Sequence, residues 1–231
     1  MNLTDNLSEA FCEVRAALEP LRDDAAAKAM AAYMKNNFEF LGIKTTPRRK
    51  AVAPILARRS LDWPLVWDCW HADAREYQYV AGDHLRRIKV FPPAQLDSLR
   101  ELISTKSWWD SVDSLAKVAG SALGDAAPPT DRAHPASQVI RAWANDRNMW
   151  VRRAAIISQL GKREATDLQL LADAIEENLP GTRFGNEFFI SKAIGWALRD
   201  LYRTNPSWVL SFLDLHGVAN LTRREALKHH R

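Results

Sequence analysis

Apolar residues recur at intervals of three and four along most of this chain, and period-two alternation is almost absent. Only a helix puts residues i, i+3, i+4 and i+7 on one face, so the spacing commits the chain to amphipathic helices and leaves no pattern for a sheet. Proline and glycine interrupt it at Pro20, Gly42, Pro64, Pro92-Pro93, Pro128-Pro129, Pro180-Gly181 and Pro206, where helices are expected to end or begin. The predicted fold class is all-α.

Four segments look alike: REYQYVAGDHL from Arg75, WWDSVDSLAKV from Trp108, MWVRRAAIISQL from Met149 and FFISKAIGWAL from Phe188, starting about 33 to 41 residues apart. Helix pairs of the HEAT or armadillo kind repeat at roughly 40 to 47 residues and stack into curved solenoids whose concave side is a binding surface. A chain of 231 residues, 47% hydrophobic, has enough apolar material for one such domain over residues 1–231. DAAPPTDRAHPAS, from Asp125, reads as an ordered loop between repeats. Apolar runs fall well short of the roughly 20 residues that span a bilayer, and MNLTDNLSEAF has no secretory pattern, so a soluble, cytoplasmic protein is expected. Cys12 and Cys69 make neither a disulfide framework nor a zinc motif, which predicts reduced thiols, no metal and no cofactor.

Charge is unevenly placed. Lys44, Arg48, Arg49, Lys50, Arg58 and Arg59 lie in a span without an acid, and Thr222 to Arg231 carries four cations against Glu225. Such clusters are either solvated faces or footprints for phosphates. Thr46-Pro47 reads as an N-cap with proline at the first helical position, followed in the first turn by Arg48, Arg49 and Lys50 where the helix dipole prefers anions. Thr222-Arg223-Arg224-Glu225 repeats this inside a capping box. Exposed cationic helix starts of this kind grip phosphate.

In TKSWWDSVDSLAK, Ser107 and Asp110 have capping-box spacing, and Trp108, Val112, Leu115, Ala116 and Ala119 form an apolar stripe. Trp108 is then the core tryptophan. Trp109, turned about 100° away, is in line with Lys106 and Asp113, so an aromatic face and a carboxylate stand together off the core. In SKAIGWALRDLYR, Lys192, Trp196, Arg199 and Arg203 share a face opposite Ala193, Ile194, Ala197, Leu198 and Leu201. In NMWVRRAAIISQL, Arg152 can snorkel outward with Gln159, whereas Arg153 falls on the apolar side with Ile156 and Ile157 and needs a partner. That partner is an external phosphate or carboxylate, or a buried acid such as Asp113.

Together, YMKNNFEFLGI from Tyr33, TKSWWDSVDSLA from Thr105, NMWVRRAAI from Asn148, EFFISKAIGWALRDL from Glu187 and TRREALKH from Thr222 resemble, in order and over nearly the whole chain, the AlkD-type alkylpurine DNA glycosylases. The resemblance implies a HEAT-like solenoid with a concave DNA-binding face, and a monomer acting on duplex DNA with alkylated purines. It implies that Asp113 is the catalytic carboxylate, that Trp109 and Trp196 hold the lesioned nucleotide's sugar and backbone, and that Arg153 contacts the adjacent phosphate. The expected DNA contacts are Tyr33, Lys44, Thr45, Arg48, Arg49, Lys106, Lys192, Arg199, Arg223 and Arg224. It further implies base excision without a pocket for a flipped base, unlike most base-processing enzymes.

The residues suit that chemistry. A purine alkylated at N3 or N7 is cationic and leaves neutral, so no general acid is required, and one carboxylate with two aromatic faces can stabilise the positive sugar and position water. A non-catalytic DNA- or protein-binding scaffold is the principal alternative, although Asp113 would weaken binding in a phosphate groove. A helix-hairpin-helix glycosylase, suggested by Leu179-Pro180-Gly181 and Asp200, lacks the second glycine, because Arg183 occupies its place. A zinc deaminase is excluded because no Pro-Cys-x-x-Cys is present.

Overall fold

A computed structural model describes residues 7–124 and 134–228. Most of the Asp125 loop, and Arg231, lie outside the described residues. The described residues are helical apart from turns, short 3-10 segments and an isolated bridge between Glu39 and Ala74. None of their helices is long and apolar enough to cross a membrane.

The chain forms two compact units, Met1–Ile88 and Lys89–Arg231. The first holds α1 (Glu9–Leu18), α2 (Asp24–Tyr33), α3 (Thr45–Ala57), α4 (Trp63–His71) and α5 (Arg75–Leu85). α4 packs on α5 and α1 on α3. The buried carboxylate of Glu76 on α5 accepts the backbone N–H groups of Leu41, Gly42 and Ile43 and so fixes the chain just before α3.

The second unit holds α6 (Leu96–Ser104), α7 (Trp109–Ser121), α8 (Pro135–Ala144), α9 (Met149–Ile157), α10 (Leu168–Glu176), α11 (Phe188–Tyr202), α12 (Pro206–Leu215) and α13 (Asn220–Ala226). Every second helix, α7, α9, α11 and α13, touches the next in a continuous row, while α6, α8, α10 and α12 pack against members of that row. This is the expected helical-repeat order. Three of the four similar segments start where the apolar period put them, α5 at Arg75, α9 at Met149 and α11 at Phe188. The stripe of Val112, Leu115, Ala116 and Ala119 is fully buried.

The fourth start differs by one residue. Ser107 does not cap α7; its hydroxyl donates to Ile103 O, and Thr105 donates to Glu101 O, so this segment satisfies the last carbonyls of α6 instead. α7 therefore begins at Trp109 with Trp108 as a cap residue that makes no side-chain cap bond. Trp108 is half-buried, not a core residue, and its ring lies 5.6 Å from Trp150 and 5.2 Å from Phe189.

Two further expectations are corrected. α3 starts at Thr45 with Lys44 as the cap, two residues before the Thr46-Pro47 reading. α13 starts at Asn220, so Thr222 lies inside it, buried, and donates its hydroxyl to Ser191 O of α11 instead of capping.

Candidate active site on the α7, α9 and α11 row

Asn148 caps α9 by accepting from Trp150 N, and this sets the helical phase that turns Arg153 into the gap beside α7. There Arg153 Nε and Nη2 donate to the two oxygens of Asp113, each at 2.8 Å, and Nη1 donates to Phe189 O at 2.7 Å. One guanidinium thus ties α7, α9 and α11 together. The Arg153 side chain is 6% exposed and that of Asp113 19%. Of the two partners open to Arg153 in the sequence, the structure has the internal carboxylate. So enclosed, the guanidinium has Asp113 and Phe189 O as its partners within the chain.

Burial pushes the Asp113 carboxyl above the ordinary aspartate range, and the Arg153 pair only partly offsets it. Trp109, one turn before Asp113 and half-buried, opens the same helix. Lys106, also half-buried, takes a left-handed backbone conformation (φ 47°) in the turn before it.

On α11, Lys192, Trp196 and Arg199 share a half-buried face, and Ala193, Ile194, Ala197 and Leu198 are buried opposite them. Arg203 is exposed. Both cations turn to Glu225 of α13, with Lys192 Nζ at 3.0 Å and Arg199 Nη1 at 3.1 Å from the same carboxylate oxygen. Lys192, then Arg199, hold that carboxyl below its usual range against the effect of burial. Gly195 makes this approach possible, because a Cβ there would lie 2.5 Å from Glu225 Cβ and 3.0 Å from Thr222 O. The Gly-Trp pair is therefore a packing glycine beside a half-buried aromatic. Glu225 was missed because its spacing from Thr222 suggested a local cap; the signal was the pair of cations, Lys192 and Arg199, flanking Trp196.

Arg152 and Gln159 are both buried, not directed outward. Arg152 donates to Asp146 O, Glu177 O, Asn178 and Asn145, and Gln159 exchanges two bonds with the Asp167 backbone. Arg223 is exposed and pairs with Asp214 and with Leu213 O; Arg224 is exposed.

In the first unit, Tyr33 at the end of α2 is 71% exposed, and Lys44 and Thr45 are exposed at the start of α3. Arg48 is placed differently from them. It is buried, 2.9 Å from Asp83 and over the Tyr79 ring. Arg49 reaches the same carboxylate at 2.8 Å but leaves 54% of its side chain exposed. Burial raises the Asp83 carboxyl, and Arg49 and Arg48 outweigh it, leaving it below the usual range.

These neighbours separate two arginines that look equivalent in sequence. Arg49→Ala is expected to flatten the slope of log affinity against log salt by about 0.9, one lost phosphate contact. Arg48→Ala should leave the slope alone and destabilise the fold by about 2 kcal/mol through a lost charged hydrogen bond. Salt titrations and thermal melts of the two variants check this.

Among the described residues no group of three or more His, Cys, Asp or Glu is placed to hold a metal ion. The family model for DNA alkylation repair enzymes matches residues 14–230. Among solved structures, a predicted DNA alkylation repair enzyme from Enterococcus faecalis is 31% identical, with 90% of this chain and 96% of that chain covered and a TM-score of 0.76. No curated protein sequence matches the chain. With the repeat order described and a match over nearly its whole length, the chain belongs to the DNA alkylation repair enzyme family.

Proposed function

We propose that the protein is a monofunctional DNA glycosylase, a monomer acting as one domain, that hydrolyses the N-glycosidic bond of N3- and N7-alkylated purines in duplex DNA without flipping the base. A cytoplasmic, DNA-associated location goes with that substrate. The observation that carries the reading is Asp113, a largely buried carboxylate with both oxygens fixed by Arg153 on the helix that presents Trp109. A scaffold that only bound phosphates would lose affinity by keeping a carboxylate there.

The proposed reaction needs little proton transfer. As the C1′–N bond breaks, its electron pair neutralises the cationic purine, and positive charge develops on the sugar. Asp113 stabilises that charge through the lone pairs that Arg153 does not use, and orients the water whose oxygen attacks C1′ and whose surplus proton passes to solvent. Arg153 keeps the carboxylate ionised and aimed, while Trp109 and Trp196 offer faces that favour a cationic neighbour.

Two results test this reading. No acid in the constellation is free to protonate a leaving base, so uracil and hypoxanthine, which would leave as anions, should stay in place while 3-methyladenine and 7-methylguanine are released. Lys106 and Lys192 are only half-buried, and Lys192 is paired with Glu225, so neither is desolvated as a Schiff-base lysine must be and the product should be an intact abasic site. Excision of uracil at a rate comparable to 7-methylguanine, or strand scission without added base, sinks the mechanism.

The active form of Asp113 is the carboxylate, and its pKa lies above the ordinary aspartate value. Protonation on acidification removes activity, so the acid limb of the single-turnover rate should have its midpoint above the ordinary range of about 3.9. A rate that stays flat down to pH 4, corrected for spontaneous depurination, would contradict that assignment.

A further inference from the structure

Three half-buried rings meet where the helices of the row begin: Trp108 just before α7, Trp150 in the first turn of α9 and Phe189 in the first turn of α11. Trp108 lies 5.6 Å from Trp150 and 5.2 Å from Phe189, Trp150 lies 4.9 Å from Phe189, and the ring planes meet at 45° to 67°. Each ring therefore touches both others. Inclined contacts at about 4.5–7 Å are the arrangement that aromatic quadrupoles favour, so the cluster fixes direction as well as distance. The reaction proposed above assigns it no part.

The cluster and the Asp113 site share a residue. Arg153 Nη1 donates to Phe189 O while Nε and Nη2 hold the two oxygens of Asp113. Trp150 precedes Arg153 by three residues, so its ring and the guanidinium stand on one side of α9, and both reach Phe189. Trp150 takes the ring; Arg153 takes the carbonyl, with its Cζ 5.9 Å from the ring centre. Phe189 O lies in the first turn of α11 and points along that helix, so the third hydrogen bond of the guanidinium depends on where α11 begins relative to α9. The rings set that relation at the helix heads. Trp108, the chain neighbour of Trp109, extends it to the helix that carries Asp113.

We infer that Trp108, Trp150 and Phe189 are positioning residues for the Asp113 carboxylate, with Trp150 acting through Phe189 and Arg153 on the direction in which that carboxylate points. The inference rests on the reading that Asp113 stabilises the reacting sugar. A guanidinium held at all three of its contacts cannot swing, and the carboxylate it grips keeps its aim. A misplacement of about 1 Å can cost on the order of 10²-fold in rate, so loosening the rings should reach the chemistry before it reaches DNA binding.

The test uses the full chain labelled with nitrogen-15 arginine, so that the Arg153 Nε–H resonance, identified by its loss in Arg153→Lys, reports the bond to Asp113 with no substrate present. Trp150→Leu keeps apolar bulk without a ring, and Trp150→Phe keeps a ring. Trp150→Leu should bring that N–H into fast exchange with solvent and lower single-turnover excision of 7-methylguanine by about tenfold or more, with affinity for a duplex holding a non-cleavable abasic analogue within about twofold of wild type. Trp150→Phe should keep the resonance protected and restore the rate to within about threefold. Phe189→Leu, which retains the carbonyl acceptor, should behave as Trp150→Leu does, and it carries the test if that variant does not fold. Leu198→Ala, a truncation buried in α11 nine residues beyond Phe189, should lower the thermal midpoint but leave resonance and rate in place. A protected resonance and a wild-type rate in the leucine variants overturn the positioning role. So does a Leu198→Ala variant that matches their losses, or a phenylalanine that fails to rescue. Loss of the resonance in the leucine variants and its retention in Trp150→Phe, with no 7-methylguanine released by the wild type, overturns the glycosylase reading alone.

Discussion

Asp113→Asn is expected to lower single-turnover excision of 7-methylguanine by about 10²- to 10³-fold, the effect of losing one preorganised electrostatic group, while affinity for duplex DNA stays level or rises. The change keeps the shape and removes the charge. Asparagine can still offer one oxygen to Arg153, so the link between α7 and α9 survives in part, and a thermal melt separates loss of chemistry from loss of fold. Affinity holds or rises because a negative charge has left a surface that faces phosphates. Unchanged excision in this variant would remove Asp113 from the mechanism.

Arg153→Ala should act more widely. Taking one partner from a buried pair leaves the other charge uncompensated and typically costs about 3–5 kcal/mol, and here the Phe189 carbonyl loses its donor as well. The pH profile distinguishes a role through Asp113 from a phosphate contact. Burial already raises the Asp113 carboxyl, and Arg153 is the main opposing influence. Its loss moves that pKa further up. More of the variant is then protonated at a given pH, so the acid limb shifts to higher pH and activity partly returns on going alkaline. A phosphate contact would instead flatten the salt slope and leave the limb where it was. Arg153→Lys, which keeps a charge but cannot serve two carboxylate oxygens and Phe189 O together, should show the same shift to a smaller degree.

What the sequence revealed depended on how far away each partner lay. Burial of Val112, Leu115, Ala116 and Ala119 follows from spacing within one helix, as do the starts of α5, α9 and α11. Ser107 was misjudged because capping by a serine is decided between two helix ends, and the carbonyls of α6 were not visible in the local pattern. Arg48 and Arg49 looked alike because their shared partner, Asp83, is some 35 residues away and buries only one of them. Arg152 and Gln159 were assigned to solvent because their partners are largely backbone groups in loops, which no side-chain pattern announces. For Arg153 the sequence demanded a bidentate acceptor and already held the right candidate, Asp113, but the choice between that acid and an external phosphate needed the packing of α7 against α9.

The most direct test is a chromatogram. Wild-type protein is incubated with duplex DNA treated with a methylating agent, and the free bases in the supernatant are identified. The account predicts 3-methyladenine and 7-methylguanine in solution, with abasic sites left in unbroken strands. Tight binding to that duplex with no base released would contradict it, and would make the protein a non-catalytic DNA-binding scaffold.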